Sequence, residues 1–146
     1  MALLGGGVGG AGNPVGGSFT GPAEALEIYG DFAAAYSGAL AATSTSQTAL
    51  SFTTGNYLFV GELQLNAGVD PTDPAAGVST LCITTLNGTK VSVIMSSAAV
   101  STPETFPTVT QQLIIPAYTE VVATVDSAAN QAYDVTVTMT GRIYRE

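Results

Sequence analysis

The sequence predicts an all-β protein, an antiparallel β-sandwich of jelly-roll-like form with a Gly-rich extended N-terminal arm. Three observations carry this. From Ala132 to Tyr144 the chain alternates: Val135, Val137, Met139, Gly141 and Ile143 fall on one face, and Asp134, Thr136, Thr138, Thr140, Arg142 and Tyr144 on the other. That period of two is what a half-buried strand requires. Asn87-Gly88 separates two strand-like runs, and this dipeptide best tolerates the positive φ angles of a type I′ hairpin turn. Turn signals recur along the chain, so that seven or eight short strands fit and no βαβ unit is called for.

In chain order, residues 1–21 form the arm, dominated by glycine around Asn13-Pro14, a composition that behaves as a flexible tether. Its spaced apolar residues Leu3, Leu4, Val8, Val15 and Phe19 are candidates for docking into a neighbouring chain. Residues 22–146 form the sandwich domain. Over 22–42 helix formers (Glu24, Ala25, Leu26, Glu27) compete with Ile28, Tyr29, Phe32 and Tyr36 spaced by Gly30 and Gly38; the glycines and the all-β context favour strand. Gln47 to Thr54 and Tyr57 to Asn66 read as two strands of a hairpin turning at Gly55-Asn56, with Phe59, Gly61, Leu63 and Leu65 on one face.

Residues 67–78, with two Asp-Pro steps, read as a surface loop. Thr80 to Leu86 and Thr89 to Ser96 pair across Asn87-Gly88; Val91, Val93 and Met95 then face one way and Ser92 and Ser96 the other, with Ile94 breaking the polar face. Ala98 to Thr110 reads as a second loop. Gln112 to Ile115 is a strand stopped by Pro116, Tyr118 to Asp126 is another, and residues 127–131 turn the chain into the last strand.

Composition narrows the function. The 146 residues suit one domain, with charged residues only 10% of the chain and a net charge of −8, against a usual charged fraction of about 25%. A surface so poor in charge defends badly against association and points to coverage by other subunits. Lys90, Arg142 and Arg145 are the only cations, too few for a phosphate backbone, so nucleic acid is not an expected partner. No run of roughly 20 apolar residues exists to span a membrane. The opening Met-Ala-Leu-Leu lacks the basic region of a signal peptide.

Enzymatic chemistry finds little to work with. There is no histidine, so nucleophilic triads and His-containing zinc sites are excluded. Cys82, between Leu81 and Ile83, reads as a small buried hydrophobe rather than a nucleophile. Asp70 and Asp73 could join carbonyl groups around a calcium ion, although turn formation explains the Asp-Pro steps equally. Glu24, Glu27 and Asp31 would share a solvated face if their segment were helical. Gly5, Gly7 and Gly10 match a GxGxxG spacing without the preceding strand that gives it meaning. Asn87-Gly88-Thr89 matches a glycosylation pattern that the turn already explains. Tyr29, Tyr36, Tyr57, Tyr118, Tyr133 and Tyr144 are available for stacking on sugars, yet a strand tyrosine is more often packed with its hydroxyl at the rim. No catalytic residue, cofactor or metal is expected.

The C-terminal third carries a resemblance. The run Leu113-Ile-Ile-Pro-Ala-Tyr-Thr-Glu-Val-Val-Ala-Thr-Val125, a short turn, and Tyr133-Asp-Val-Thr-Val-Thr-Met-Thr-Gly-Arg-Ile-Tyr144 resemble the ending of small β-sandwich virion proteins of tailed bacteriophages. The resemblance implies a non-enzymatic structural protein of the virion, assembled in the host cytoplasm. It would be a capsid decoration or minor head protein binding the major capsid protein or other virion subunits, homo-oligomeric in the particle. A tail, adaptor or fibre-attachment component, a carbohydrate-binding module and a bacterial surface or pilus-like subunit are the alternatives. Arg142, Tyr144 and Arg145 join the arm residues as expected partner contacts.

Overall fold

The computed structural model describes residues 26–67, 78–98, 108–128 and 134–145. These form ten strands: β1 (Glu27–Tyr29), β2 (Phe32–Tyr36), β3 (Leu40–Ala41), β4 (Gln47–Thr53), β5 (Tyr57–Ala67), β6 (Val78–Leu86), β7 (Thr89–Ala98), β8 (Val109–Ile115), β9 (Glu120–Ser127) and β10 (Asp134–Arg145). No helix occurs among the described residues.

The strands divide between two antiparallel sheets. One has the order β4-β9-β6-β7; the other runs β1-β2-β10-β5-β8, with β3 also pairing β10. The pairs nest: β6 with β7, β5 with β8, β4 with β9, and β2 and β3 with β10. Apart from β6 to β7 and the short steps β1 to β2 to β3, every connection passes from one sheet to the other. A long antiparallel ribbon rolled over on itself gives this order, which makes the fold a jelly roll.

Alternation explains the core. Phe59, Leu63 and Leu65 of β5 and Val135, Val137, Met139 and Ile143 of β10 point inward against Leu50 of β4 and Val121 and Val125 of β9 in one cluster drawn from both sheets. Gly61 and Gly141 face each other across the β5–β10 ladder. A Cβ added at Gly61 would stand 2.6 Å from Phe59 Cζ and 2.7 Å from Gly141 Cα, so only glycine lets the Phe59 ring pack against this backbone. In β4 the register shifts where Ala123 pairs Leu50 but Thr124 pairs Thr48. This bulge turns both Ala49 and Leu50 into the core.

Two of the predicted turns fare differently. Asn87 and Gly88 have φ of 48° and 79°, and Leu86 pairs Thr89 across them, the hairpin their chemistry demands. The expected hairpin at Gly55-Asn56 is absent: β4 and β5 lie in opposite sheets. Gly55 is not among the residues with positive φ, so a primed turn does not form there. Instead Thr54 fastens the crossing to the one between β8 and β9. Its hydroxyl donates to Pro116 O (2.8 Å) and accepts from the Thr119 amide (2.8 Å), while Tyr118 N donates to Gly55 O at 2.9 Å.

Residues 26–42 are strand and turn, as their glycines implied, so Glu27 and Asp31 share no helical face. Gly30, at φ 64°, turns β1 into β2. The predicted loop from Ala98 to Thr110 is shorter at both ends, because β7 runs to Ala98 and β8 starts at Val109. Pro116 follows β8 directly, as expected of a residue that cannot donate to the ladder. The arm, Asp70, Asp73 and Tyr133 lie outside the described residues.

Candidate functional site

The outward faces of the two sheets differ in kind. In the β6–β7 hairpin, Leu81 pairs Met95 and Ile83 pairs Val93, and all four point away from the core. Val91, Val93 and Met95 are 43%, 52% and 58% exposed. The opposite side of the hairpin, turned inward, is largely polar: Thr80, Thr84, Ser92 and Ser96 are buried there with Cys82 and Ile94. Thr80 Oγ1 bonds Ser127 Oγ at 3.0 Å, and Ser92 Oγ donates to Gln111 Oε1.

Thr84 Oγ1 is buried with no conventional hydrogen-bond partner; its hydroxyl meets the Cys82 thiol, a weak partner at best. Burial pushes the Cys82 pKa up to about 12, slightly opposed by Thr84. β7 ends its sheet, and Lys90 is the one charged residue from 78 to 98. The hairpin is thus apolar outside and mostly hydroxylated inside, the reverse of the usual arrangement.

On the other sheet, the ladders set side chains in rows across the strands. One outward row is Tyr29, Phe32, Arg142, Val60 and Ile114; the next is Glu27, Ala34, Thr140, Glu62 and Gln112; Tyr36, Thr138 and Gln64 follow. Tyr29, Phe32, Tyr36 and Tyr144 are each more than half exposed. Small Ala34 and Thr140 between the bulky rows leave an open groove of about 550 Å³.

Its polar groups are held in place. The Arg142 guanidinium lies 4.9 Å from the Phe32 ring centroid, a cation–π stack. Gln112 Nε2 donates to Glu62 Oε2 at 3.2 Å. The Tyr29 hydroxyl donates to Glu27 Oε2 at 2.8 Å, and that bond, followed by the charge of Glu27, raises the phenol pKa.

Of the residues singled out in sequence, Arg142 and Tyr144 lie on this aromatic face and Arg145 is exposed at the end of β10. Leu3, Leu4, Val8, Val15 and Phe19 lie outside the described residues. The expectation of packed tyrosines fails: of the five described, only Tyr57 is buried, because strand parity turns Tyr29, Tyr36 and Tyr144 outward and the β8–β9 connection carries Tyr118. Phe32 and Glu62 were missed; the outward parity of Arg142, extended through its two neighbouring strands, is the signal that finds them. Cys82 is buried, as its apolar flanks implied.

Among the described residues no group of three His, Cys, Asp or Glu side chains is placed to hold a metal ion, and no helix is long and apolar enough to cross a membrane. No family model matches the chain, and no curated protein matches it in sequence.

Proposed function

We propose that this chain is a non-enzymatic structural subunit of a virus particle, a capsid decoration or minor head protein that packs against further copies of itself through the outward face of the β6–β7 hairpin. The observation that carries this reading is the inverted hairpin. A strip holding Val91, Val93 and Met95 on one strand, with Leu81 and Ile83 beside it, gains nothing from water and buries favourably against a similar surface. Its near-absence of charge means that contact strands no unpaired ion. A jelly roll is an architecture that viral capsid domains use, and this supports the virion context by analogy of fold alone.

The test is association of the full chain. Native mass spectrometry and sedimentation at micromolar concentrations should find reversible oligomers for the wild type. The combined Val91→Ser, Val93→Ser and Met95→Ser chain should be monomeric with an unchanged far-UV β signature. A wild type as monomeric as the variant would overturn the reading.

A further inference from the structure

We infer that the groove on the outer face of the six-stranded sheet binds a neutral polysaccharide chain. This inference is independent of the β6–β7 contact, since the two surfaces lie on opposite sheets.

A hexose presents two chemistries at once: a ring face rich in C–H bonds, and a rim of hydroxyls that each need a hydrogen-bond partner. The groove supplies both in register. Tyr29 and Phe32, one ring face of which carries the Arg142 guanidinium, stand along one wall and Tyr36 along the other, as exposed rings against which a sugar face can lie. Between them the floor row offers Thr140, Glu62 and Gln112. Glu62 and Gln112 share one hydrogen bond, and their remaining acceptors and amide donor face outward for hydroxyls. Arg142, stacked on Phe32, adds planar donors along the wall. The rows cross five strands, a path of roughly 19 Å at the usual strand spacing, long enough for several sugar rings.

Charge separates this ligand from its competitors. With Glu27 and Glu62 in the floor row and a net charge of −8 on the protein, an anionic polymer is repelled. An apolar peptide pressed into the groove would strip water from the Glu62 carboxylate and the Arg142 guanidinium that line it without replacing it. A neutral glycan satisfies the polar floor and covers the rings. On the hairpin face, by contrast, aliphatic side chains offer a sugar no hydroxyl partners.

The experiment titrates the full chain with soluble neutral hexasaccharides of glucose, mannose and galactose, followed by calorimetry and by amide NMR shifts. At least one should bind saturably, with the shifted amides confined to the strands the groove crosses, β1, β2, β10, β5 and β8. Phe32→Ala and Tyr36→Ala should each weaken that binding about tenfold, the loss of one stacked ring, and Glu62→Gln should weaken it less. All three side chains project from the sheet surface, so the fold persists, and Val93→Ser on the opposite face should leave the affinity unchanged. Absence of saturable binding by every hexasaccharide overturns the inference. So does binding that Phe32→Ala and Tyr36→Ala leave intact. If instead Phe32→Ala alters the native mass of the protein without any glycan bound, the groove is a protein contact and the inference is wrong.

Discussion

The β5–β10 ladder and the β6–β7 hairpin are built on the same alternation with opposite outcomes. In the ladder, Phe59, Leu63, Val137 and Met139 point inward and Glu62, Thr138 and Thr140 outward. In the hairpin, Thr80, Thr84 and Ser92 point inward while Val93 and Met95 meet solvent. A slip of one residue would restore the usual polarity to β7. The one-residue offset is built in as a bulge: beside the turn Leu86 pairs Thr89 and Thr85 pairs Lys90, but Thr84 pairs Ser92, so the extra residue Val91 shifts the rest of β7 by one. Further restraint comes from the hairpin tip: Asn87 Oδ1 accepts from the Glu120 amide and Asn87 N donates to Glu120 O, each at 2.9 Å. The turn thus fixes the pairs nearest it, and the bulge at Val91 sets the inverted polarity of the rest of β7.

The largest way to test the contrast is to truncate one side chain from each region. Phe59→Ala should cost about 3–5 kcal/mol of unfolding free energy in urea titration, because Gly61 and Gly141 have no side chains to fill the space. Val93→Ser should change the stability of the monomer by less than about 0.5 kcal/mol. Comparable losses at the two sites would mean that the hairpin strip belongs to the core.

A second test uses Cys82. Its folded pKa lies above the ordinary value of 9.0, at about 12, so folding favours the protonated thiol. The stabilisation this gives is fully present below pH 9 and is lost as pH rises from 9 towards 12. Denaturant midpoints should fall across that window more steeply in the wild type than in Cys82→Ala. Equal slopes would show that the thiol is not sequestered.

The smallest effect concerns Thr84. Its buried hydroxyl lacks a conventional partner, and Thr84→Val keeps the shape while removing an uncompensated polar group. A gain of about 1 kcal/mol is expected, read as a raised urea midpoint; a lowered midpoint would reveal a hydrogen bond worth keeping.

These regions also mark what could be read from sequence. The final strand was legible because Val135 to Ile143 alternate without interruption, and Asn87-Gly88 because its turn chemistry is local. Gly55-Asn56 misled because the dipeptide resembles a turn, while the crossing between sheets is decided by Thr54 reaching Pro116 and Thr119, some 60 residues away. Alternation in β7 revealed that Val91, Val93 and Met95 share a face, but not that this face is the outer one. Sidedness comes from what the other sheet presents, and Gln111, which accepts from Ser92, gives no local sign of that role. The aromatic groove was hidden for a similar reason. Phe32 and Arg142 are far apart in the chain and become neighbours only through the β2–β10 register.

The nesting of the pairs has a kinetic consequence. β6 and β7 meet across two residues, whereas each enclosing pair closes a longer loop, out to the bond from Val137 N to Ser37 Oγ across 100 positions. Loop-closure entropy orders these events from the inside out, and so non-local a sheet folds on the order of milliseconds to seconds. As ribosomes deliver the chain, the hairpin with its aliphatic strip emerges well before β10, which must slot between β2 and β5. Because β10 joins the opposite sheet, its arrival buries the inward face of β5 but leaves the hairpin strip exposed, so the strip is available for association before and after the roll closes.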